Sequence, residues 1–375
     1  MSKNKNIVYV FGFGRKNRLN NKENTAKEFF YGWHYIKNKF ENSAIIEMKH
    51  PDENNFLFQN ILNYLDKVLR KMTRLPIYTK DIINFANFRL LKDCQKILFT
   101  TDLLIISFLP LLLISKIFSK KEVYVIVMGL FGRESGSKTI NFFQNLYIKL
   151  VVSQTDRFIF LGKPEKINAV EKFPNMHKKF TFLPFSIDYD FWNNFEDISY
   201  EKRDGILFIG NDGKREYDKV VEIAKRLPDI NFTFISSNIN VSELKNINVV
   251  KGNWNNNYLS DEQIRDYYLA SKITFLPIKN SLQPSGQSVT LQSLACGTPV
   301  IISHTDGFWD ESYFQNNKNI IFNYEESVDS WISLINKTYY NDDLIKEISK
   351  NGKATIKKQY NLDMFHKNLE NIIGI

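Results

Sequence analysis

Two stretches in the second half of the chain combine glycine, hydroxyl and cationic side chains in a way that suits an anionic ligand. The first, "IGNDGKREY" (209–217), ends a strand-like run and places Lys214 and Arg215 beside a glycine turn, close to Asn211. The second, "QPSGQSVTLQ" (283–292), is typical of a glycine loop that enters a helix. Backbone N–H groups converge at such a helix start, and arginine can bind a phosphate with two N–H groups at once. Together the stretches predict a diphosphate site, although Lys214 and Arg215 could instead be solvated surface cations.

Five candidate ligand-binding residues lie in the second stretch: Ser285, Gly286, Gln287, Ser288 and Gln292. Gln292 comes one helical turn after Ser288, so the two share a face of the helix. Its amide could therefore bind a ligand hydroxyl while the helix start holds anionic oxygen. Ser288 could also simply cap the helix, which is compatible with ligand binding.

Strand ends in the first half supply three more candidates. Gly12 and Gly14 close the first strand-like run, where glycine permits close approach of the backbone to a phosphate. Glycine is equally favoured there for steric reasons alone. Asp102 follows the run "KILFTT" (96–101), and it could contact a substrate hydroxyl or serve as the N-cap of the next helix.

No metal and no cofactor is expected. Asp188-Tyr189-Asp190 resembles a metal-binding Asp-x-Asp pair, but we do not interpret it as a metal site. The histidines show no metal-ligand spacing. The two cysteines, Cys94 and Cys296, exclude a disulfide framework and fit a reducing cytoplasm.

Charge is distributed unevenly along the 375 residues, whose net charge is +9. Residues 1–195 carry 30 Lys and Arg against 17 Asp and Glu, whereas residues 196–375 carry 20 against 24. The basic first half indicates an anionic partner, and a membrane surface or a phosphorylated substrate fits equally well. We expect no nucleic acid, because the sequence has no zinc finger, RRM signature or arginine-rich arm.

One apolar run, "LLIISFLPLLLISKIF" (103–118), raises the question of a membrane span. It has 16 residues and contains Pro110, whereas a spanning helix needs about 20 apolar residues. We expect a buried helix of an α/β domain, with a contact to one membrane leaflet as the alternative.

Short β-rich runs alternate with helical patterns along the chain, which favours parallel sheets covered by helices. The alternation restarts after a charged stretch at 193–205. We therefore expect Rossmann-like domains at 1–195 and 196–360, with a helix at 361–375 that packs back toward the first domain. The pattern also predicts a helix over 22–40. Strands are predicted at 6–14, 43–48, 96–102, 122–129, 157–162, 179–188, from 206, and at 231–236, 247–252, 272–278, 298–303 and 319–322.

The second half resembles the retaining glycosyltransferases of family 4. The resemblance rests on "YLSDEQIRDYYLASKITFLPI" (258–278), "SGQSVTLQSLACGTPVI" (285–301) and "DGFWDE" (306–311). It continues more loosely upstream, as in "LPFSIDYDFW" (183–192). It implies the GT-B fold, in which two Rossmann-like domains face each other across a cleft. The C-terminal domain would bind most of a sugar-nucleotide donor, and the N-terminal domain would bind the acceptor.

The resemblance also implies roles for single residues. Arg215 and Lys214 would neutralise the donor diphosphate, and the loop at 285–288 would hold the donor sugar and phosphate. Gln292 occupies the place of the second glutamate of the family's pair, which holds the ribose hydroxyls. Pro284 occupies the place of the first glutamate, so donor-sugar contacts differ from those of the family.

We therefore expect a glycosyltransferase, a hexosyltransferase, that moves a sugar from a UDP-sugar to a hydroxyl of a membrane lipid or cell-envelope glycan with retention. Arg215, Lys214 and Asp102 are the expected catalytic residues, with the departing diphosphate taking the acceptor proton. The enzyme would be cytoplasmic and peripheral on the inner face of the membrane. A non-catalytic partner subunit of the same fold is the alternative, motivated by Pro284 and Gln292, and a sugar-nucleotide epimerase is a third possibility.

Overall fold

The computed structural model describes residues 7–20, 25–40, 42–48, 57–133, 136–195, 202–241, 244–252 and 259–374. They form two six-stranded sheets in which every strand pair is parallel. The first sheet, with its helices, makes up the N-terminal half, and the second sheet makes up most of the C-terminal half. The expected α/β architecture of two parallel sheets is confirmed.

The first sheet has the strand order β2-β1-β3-β4-β5-β6. Its central strands are buried along their whole length, as in the β1 segment IVYVF, which is typical of parallel strands covered by helices on both faces. The strands are β1 (Ile7–Phe11), β2 (Ala44–Glu47), β3 (Lys96–Phe99), β4 (Glu122–Val127), β5 (Arg157–Phe160) and β6 (Phe180–Phe182). The helices of this half are α1 (Arg15–Asn20), α2 (Trp33–Lys39), α3 (Leu57–Thr73), α4 (Phe85–Asp93), α5 (Asp102–Phe118), α6 (Lys138–Gln154), α7 (Lys163–Lys172) and α8 (Tyr189–Trp192), with 3-10 turns at Glu28–Phe30, Thr79–Asp81 and Pro174–Lys179.

The second sheet has the order β12-β11-β10-β7-β8-β9. Its strands are β7 (Ile206–Ile209), β8 (Phe232–Ile235), β9 (Ile247–Val250), β10 (Ile273–Leu276), β11 (Val300–Ser303) and β12 (Ile321–Asn323). Its helices are α9 (Tyr217–Lys225), α10 (Asp261–Ala270), α11 (Gln287–Ala295), α12 (Val328–Tyr339), α13 (Asp342–Gln359) and α14 (Leu362–Ile373). A strand occurs in each of the predicted segments.

The helix predicted over 22–40 is wrong as a single element. A 3-10 turn ends at Phe30, and α2 begins at Trp33, because Tyr31 and Gly32 adopt left-handed backbone angles with φ of 47° and 80°. A Cβ atom on Gly32 would lie 2.8 Å from Cδ2 of Leu369, so the break brings α14 close to the backbone at this point. Residues 22–24 of the predicted helix lie outside the described residues.

Helix α14 packs on the N-terminal half, far from its neighbours in sequence. Glu370 pairs with Lys39 of α2, and His366 stacks on Tyr35 with ring centroids 4.6 Å apart. The carbonyl of Ile373 accepts a hydrogen bond of 2.6 Å from Lys96 Nζ at the start of β3. The chain thus returns from the second sheet to the first.

The apolar run at 103–118 forms α5, most of which is buried against the first sheet. Pro110 lies inside this helix. No helix among the described residues is long and apolar enough to cross a membrane. This agrees with the expectation of a buried α/β helix, although the last turn of α5 is exposed at Ile114, Ile117 and Phe118.

Candidate active site

A cavity of about 500 Å³ lies between the two halves, at loops that follow the carboxyl ends of the strands. Ligands of open parallel sheets bind at this edge, because loops and helix starts converge there. The N-terminal half contributes Arg15, Arg18, Phe29, Tyr31 and Trp192 to the lining, and the C-terminal half contributes Ile209, Gly210, Asn211, Asp212, Arg215, Ile235, Gly252, Leu259, Asp261, Ile264, Tyr268, Ser288, Val289 and Gln292. We call this cavity the donor cleft.

Arg215 reaches into the donor cleft from the loop after β7. Its side chain is buried, its Nη1 donates to Ser285 Oγ at 2.8 Å, and the same atom lies 3.2 Å from Asp212 Oδ2. Its Nε is buried without a hydrogen-bond partner, and burial lowers the pKa of Arg215. The structure therefore brings the two predicted stretches together through one guanidinium that still has a donor to offer an anion.

Gly210 makes room for this guanidinium. A Cβ atom on Gly210 would lie 2.7 Å from both Cγ and Nε of Arg215, closer than real contacts allow. The sequence analysis gave Gly210 no role in the site. Its position directly after β7 could have indicated one.

Helix α11 begins at the donor cleft. Gly286 is its N-cap residue, with φ of 77°, so Ser288 is not the cap and that alternative is wrong. A Cβ on Gly286 would lie 2.7 Å from Ile278 Cδ1, which reinforces the need for glycine. The first N–H groups of a helix have no intrahelical acceptors, and here they lie next to Ser288 and Val289 in the cleft lining. The helix start can therefore hold anionic oxygen, as predicted from its sequence.

Gln292 lines the donor cleft, but its amide is already held by protein groups. Its Nε2 donates to Glu28 Oε1 at 2.8 Å, and its Oε1 accepts from Tyr268 at 3.2 Å. Trp192 Nε1 also donates to Glu28 Oε1, at 2.9 Å. The amide orientation is thus fixed by a carboxylate from the N-terminal half, and one N–H and one lone pair remain for a ribose hydroxyl. The sequence contains no local signal for Glu28, because its partner is 264 residues away.

Glu28 is expected to make stability depend on pH. Burial raises the pKa of Glu28 from 4.5 to about 7, so the folded protein binds this proton more tightly than the unfolded chain does. Stability should therefore fall as pH rises from about 4.5 to about 7, by up to about 3 kcal/mol from this group. Glu28→Gln should flatten that part of the curve, measured by urea unfolding at a series of pH values.

The matched control is Glu326→Gln, which changes an exposed carboxylate in the C-terminal half. Its pH profile should follow that of the wild type. If Glu28→Gln retains the full slope between about pH 5 and pH 7, ionisation of Glu28 does not cause it.

A buried ion pair joins the two halves at the edge of the donor cleft. Arg18 of α1 pairs with Asp261 at the start of α10, and both side chains are almost entirely buried. Asp261 also accepts a hydrogen bond of 2.9 Å from the backbone N–H of Ala26. Both residues were missed by the sequence analysis, since a contact over 243 positions leaves no local pattern.

Several predicted residues do not line this cleft. Gly12 and Gly14 precede α1, and the lining comes instead from Arg15 and Arg18. Gln287 points elsewhere, because its Nε2 donates to the carbonyl of Leu161 at 2.8 Å. Asn211 does line the cleft, but its side chain also ties neighbouring loops together through the Gly252 carbonyl and the Ser237 N–H.

Residues 215–371 match the profile of a family described as "Glycosyl transferase-like". The whole chain is also similar in fold to solved glycosyltransferase structures. Anabaena Alr3699/HepE in complex with UDP-glucose has a TM-score of 0.67 at 8% identity, over 98% of this chain and 99% of that one. Sucrose-phosphate synthase from Thermosynechococcus elongatus has a TM-score of 0.69 at 11% identity, over 98% of each chain. The chain has the GT-B fold, and most of its C-terminal half matches a glycosyltransferase-like family.

A third similar structure is an alpha-glucosyltransferase in complex with UDP-glucose and DNA containing an abasic site. It has a TM-score of 0.61 at 11% identity and covers 99% of each chain. A sequence comparison with curated proteins gives no match to this chain.

Asp102 is not the N-cap of α5. Thr101 holds that position, and its hydroxyl accepts from the Leu103 N–H at 3.1 Å. Asp102 is buried with its Oδ2 unpartnered; burial raises the pKa of its carboxyl, and the charge of Arg133 partly offsets this. Asp102 lies outside the donor cleft lining, so a contact with the acceptor remains a prediction.

Asp188 of the Asp-x-Asp motif has a structural role in this fold. Its Oδ1 accepts from the Phe191 N–H at the start of α8, and its Oδ2 accepts from the Lys27 N–H at 3.3 Å. Among the residues that the structure describes, no group of three or more His, Cys, Asp or Glu side chains could hold a metal ion.

Proposed function

We propose that this protein transfers a sugar from a UDP-sugar to a hydroxyl acceptor with retention at the anomeric carbon, without a metal or cofactor. The observation that carries the proposal is the meeting of Arg215 and the start of α11 in one cleft. A buried guanidinium with an unpartnered Nε faces the N–H groups of a helix start, across a gap bridged by Ser285. Such a pair suits a diphosphate, since charge-assisted hydrogen bonds are the strong ones.

The rest of the cleft suits a nucleoside. Aliphatic side chains of Ile209, Ile235 and Val289 offer apolar surface, and the fixed amide of Gln292 offers a donor and an acceptor to ribose hydroxyls. Uridine is the preferred base because two similar folds were solved with UDP-glucose bound.

Retention is proposed from the state of the carboxylates in the cleft lining. Asp261 is paired with Arg18, and Asp212 contacts Arg215 and the Lys214 N–H, so neither carboxylate is free to act as the general base that inversion needs or as a nucleophile. In the proposed step the acceptor oxygen bonds to the anomeric carbon while the bond from that carbon to the phosphate oxygen breaks. The acceptor proton passes to the departing diphosphate on the same face. The protein contributes positioning and charge stabilisation through Arg215 and α11.

The test is calorimetric titration of the purified protein with UDP, GDP, ADP and CMP. We expect UDP to bind most tightly and to bind without added divalent metal. Hydrolysis of a UDP-hexose followed by proton NMR should then give the retained anomer first. If no nucleotide binds even at millimolar concentration, the proposal fails and a non-catalytic partner subunit becomes the better explanation.

We also propose that the acceptor is presented at an anionic membrane, which the helical face of the N-terminal half would contact. Helices α3 and α5 each pack on α6, and α4 packs on α5, so these four helices form one continuous surface. Basic side chains are interleaved on it, among them exposed Lys67, Lys71 and Arg89. Its large exposed apolar and aromatic residues are Ile61, Tyr64, Leu65, Met72, Phe85, Leu90, Leu113, Ile114, Ile117, Phe118, Phe142, Leu146 and Leu150. Exposed apolar residues rimmed by cations are typical of an interfacial membrane contact.

The double variant Phe85→Glu/Ile117→Glu should lose membrane binding. Both side chains are 80% exposed, so the change should spare the fold while it removes two apolar contacts and adds two negative charges. We expect at least about a tenfold drop in the fraction bound to phosphatidylglycerol vesicles in a flotation assay. The control, Tyr324→Glu/Tyr340→Glu, changes exposed aromatic residues of the C-terminal half and should bind as the wild type does. Equal binding to phosphatidylcholine vesicles would contradict the proposal.

A further inference from the structure

A second cavity, of about 300 Å³, lies between the two halves on the other side of the 210–215 loop from the donor cleft. It is lined by Arg74, Gly129, Gly132, Arg133, Gln144, Lys214, Ser281, Leu282 and Gln283. We call it the basic cavity, because the described residues that line it include three cations and no carboxylate. These cations come from three separate segments: the end of α3, the loop after β4 and the loop after β7.

The cations of the basic cavity are left without ion pairs. Within the described residues, none of Arg74, Arg133 and Lys214 has a carboxylate partner within 4.0 Å. The Nε of Arg133 is buried without a hydrogen-bond partner. Asp102 and Glu165 both interact electrostatically with Arg133, but neither carboxylate lines the cavity. Like charges gathered in a cavity repel each other unless an anion is bound, so this arrangement favours an anionic ligand.

Polar groups of the lining are held in place around the cavity. Gln144 Nε2 donates to the Thr73 carbonyl at 3.1 Å, which fixes the end of α3 next to Arg74. Arg74 itself has a left-handed backbone with φ of 55°, which costs about 1 kcal/mol in a residue other than glycine. Gln283 reaches across from the C-terminal half and packs directly on Gly129. A strained arginine and a side chain that crosses between halves indicate a built site.

The donor diphosphate is not the ligand that this cavity suits. Lys214 ends the turn that precedes Arg215, and Arg215 forms an antiparallel bridge with Ile278. Arg215 lines the donor cleft, whereas Lys214 lines the basic cavity. In this structure the two cations therefore line different cavities, and neutralisation of one diphosphate by both stays a prediction.

We propose that the basic cavity binds a second anionic group, a phosphate or carboxylate carried by the acceptor or by the donor sugar. The inference rests on the proposed function, since it places this anion beside the cleft where the donor would react. An anion site here would restrict the substrates to molecules that carry a phosphate or carboxylate near the reacting hydroxyl of the acceptor or on the transferred sugar.

The test is calorimetric titration of glycerol 3-phosphate into protein saturated with UDP. We expect binding in the millimolar range, weakened at least tenfold in Arg133→Gln and in Arg74→Gln, while the affinity for UDP stays within about twofold. The control, Lys149→Gln, removes an exposed lysine of α6 and should bind glycerol 3-phosphate as the wild type does. Displacement of glycerol 3-phosphate by UDP, or unchanged binding in both arginine variants, would overturn the inference.

A second titration distinguishes the source of the anion. A loss of affinity for UDP-glucuronate relative to UDP-glucose in Arg133→Gln would place the anion on the donor sugar. An equal affinity for both, with glycerol 3-phosphate still bound beside UDP-glucose, would place it on the acceptor. If UDP does not bind but glycerol 3-phosphate binds in an Arg133-dependent way, the proposed function fails while the anion site stands.

Discussion

Arg215→Ala is expected to weaken UDP binding at least about 100-fold. The guanidinium is buried in the lining of the donor cleft, and two charge-assisted hydrogen bonds to a diphosphate contribute about 1.5–3 kcal/mol each. Without ligand, the free energy of unfolding of the variant should fall by less than the binding free energy does. The reason is that burial of Arg215 disfavours its charged form and lowers its pKa. Large loss of binding with little loss of stability is the signature of a residue held in place for its ligand.

The measurement is calorimetric titration with UDP and, separately, with uridine. Uridine lacks the diphosphate, so its affinity should be nearly the same in the wild type and in Arg215→Ala. The matched control is Lys214→Ala, which changes the neighbouring cation that faces the basic cavity and should leave UDP affinity within about threefold. A parallel loss of uridine binding would show that the substitution distorts the whole cleft instead.

Arg18→Met should produce the largest loss of stability among single changes at the boundary between the halves. Among the described residues it leaves Asp261 the Ala26 N–H as a hydrogen-bond partner and no paired cation, and breaking a buried ion pair from one side costs about 3–5 kcal/mol. Methionine keeps much of the side-chain volume, so the effect reports the uncompensated charge. Urea unfolding without ligand would measure it.

Two further variants make this prediction specific. Arg18→Met/Asp261→Leu removes both charges and should recover part of the loss, since no buried carboxylate is left unpaired. Lys39→Met breaks the ion pair with Glu370, which also joins the two halves but lies at the surface, and it should change stability far less. An equal effect of Arg18→Met and Lys39→Met would mean that burial of the pair does not matter.

The sheets could be predicted from sequence because each parallel strand is a short apolar run bounded by polar loops. The β10 segment ITFL, for example, is buried along its whole length, and its neighbours in sequence are helical. The break at Gly32 could not be predicted in the same way. It depends on Leu369, which is brought there only by the return of α14.

The same distinction applies to the site. Arg215, Ser288 and Gln292 were predicted because each lies in, or one helical turn after, a loop whose local pattern indicates ligand binding. Glu28 and Arg18 were not, because their roles come from partners more than 240 residues away. Lys214 is a third case. The sequence identified it as a candidate for ligand binding, but only the structure shows that it lines the basic cavity.

The return of α14 has a consequence for the order in which the chain matures during synthesis. Lys96 of β3 is buried, and it donates to the carbonyl of Ile373, a residue that leaves the ribosome long after β3. Until then this ammonium lacks that carbonyl partner, and the surface that α14 will cover stays open to water. The N-terminal half is thus synthesised first but completes its packing last. The surface that α14 covers remains exposed until the second sheet has folded and α14 has docked.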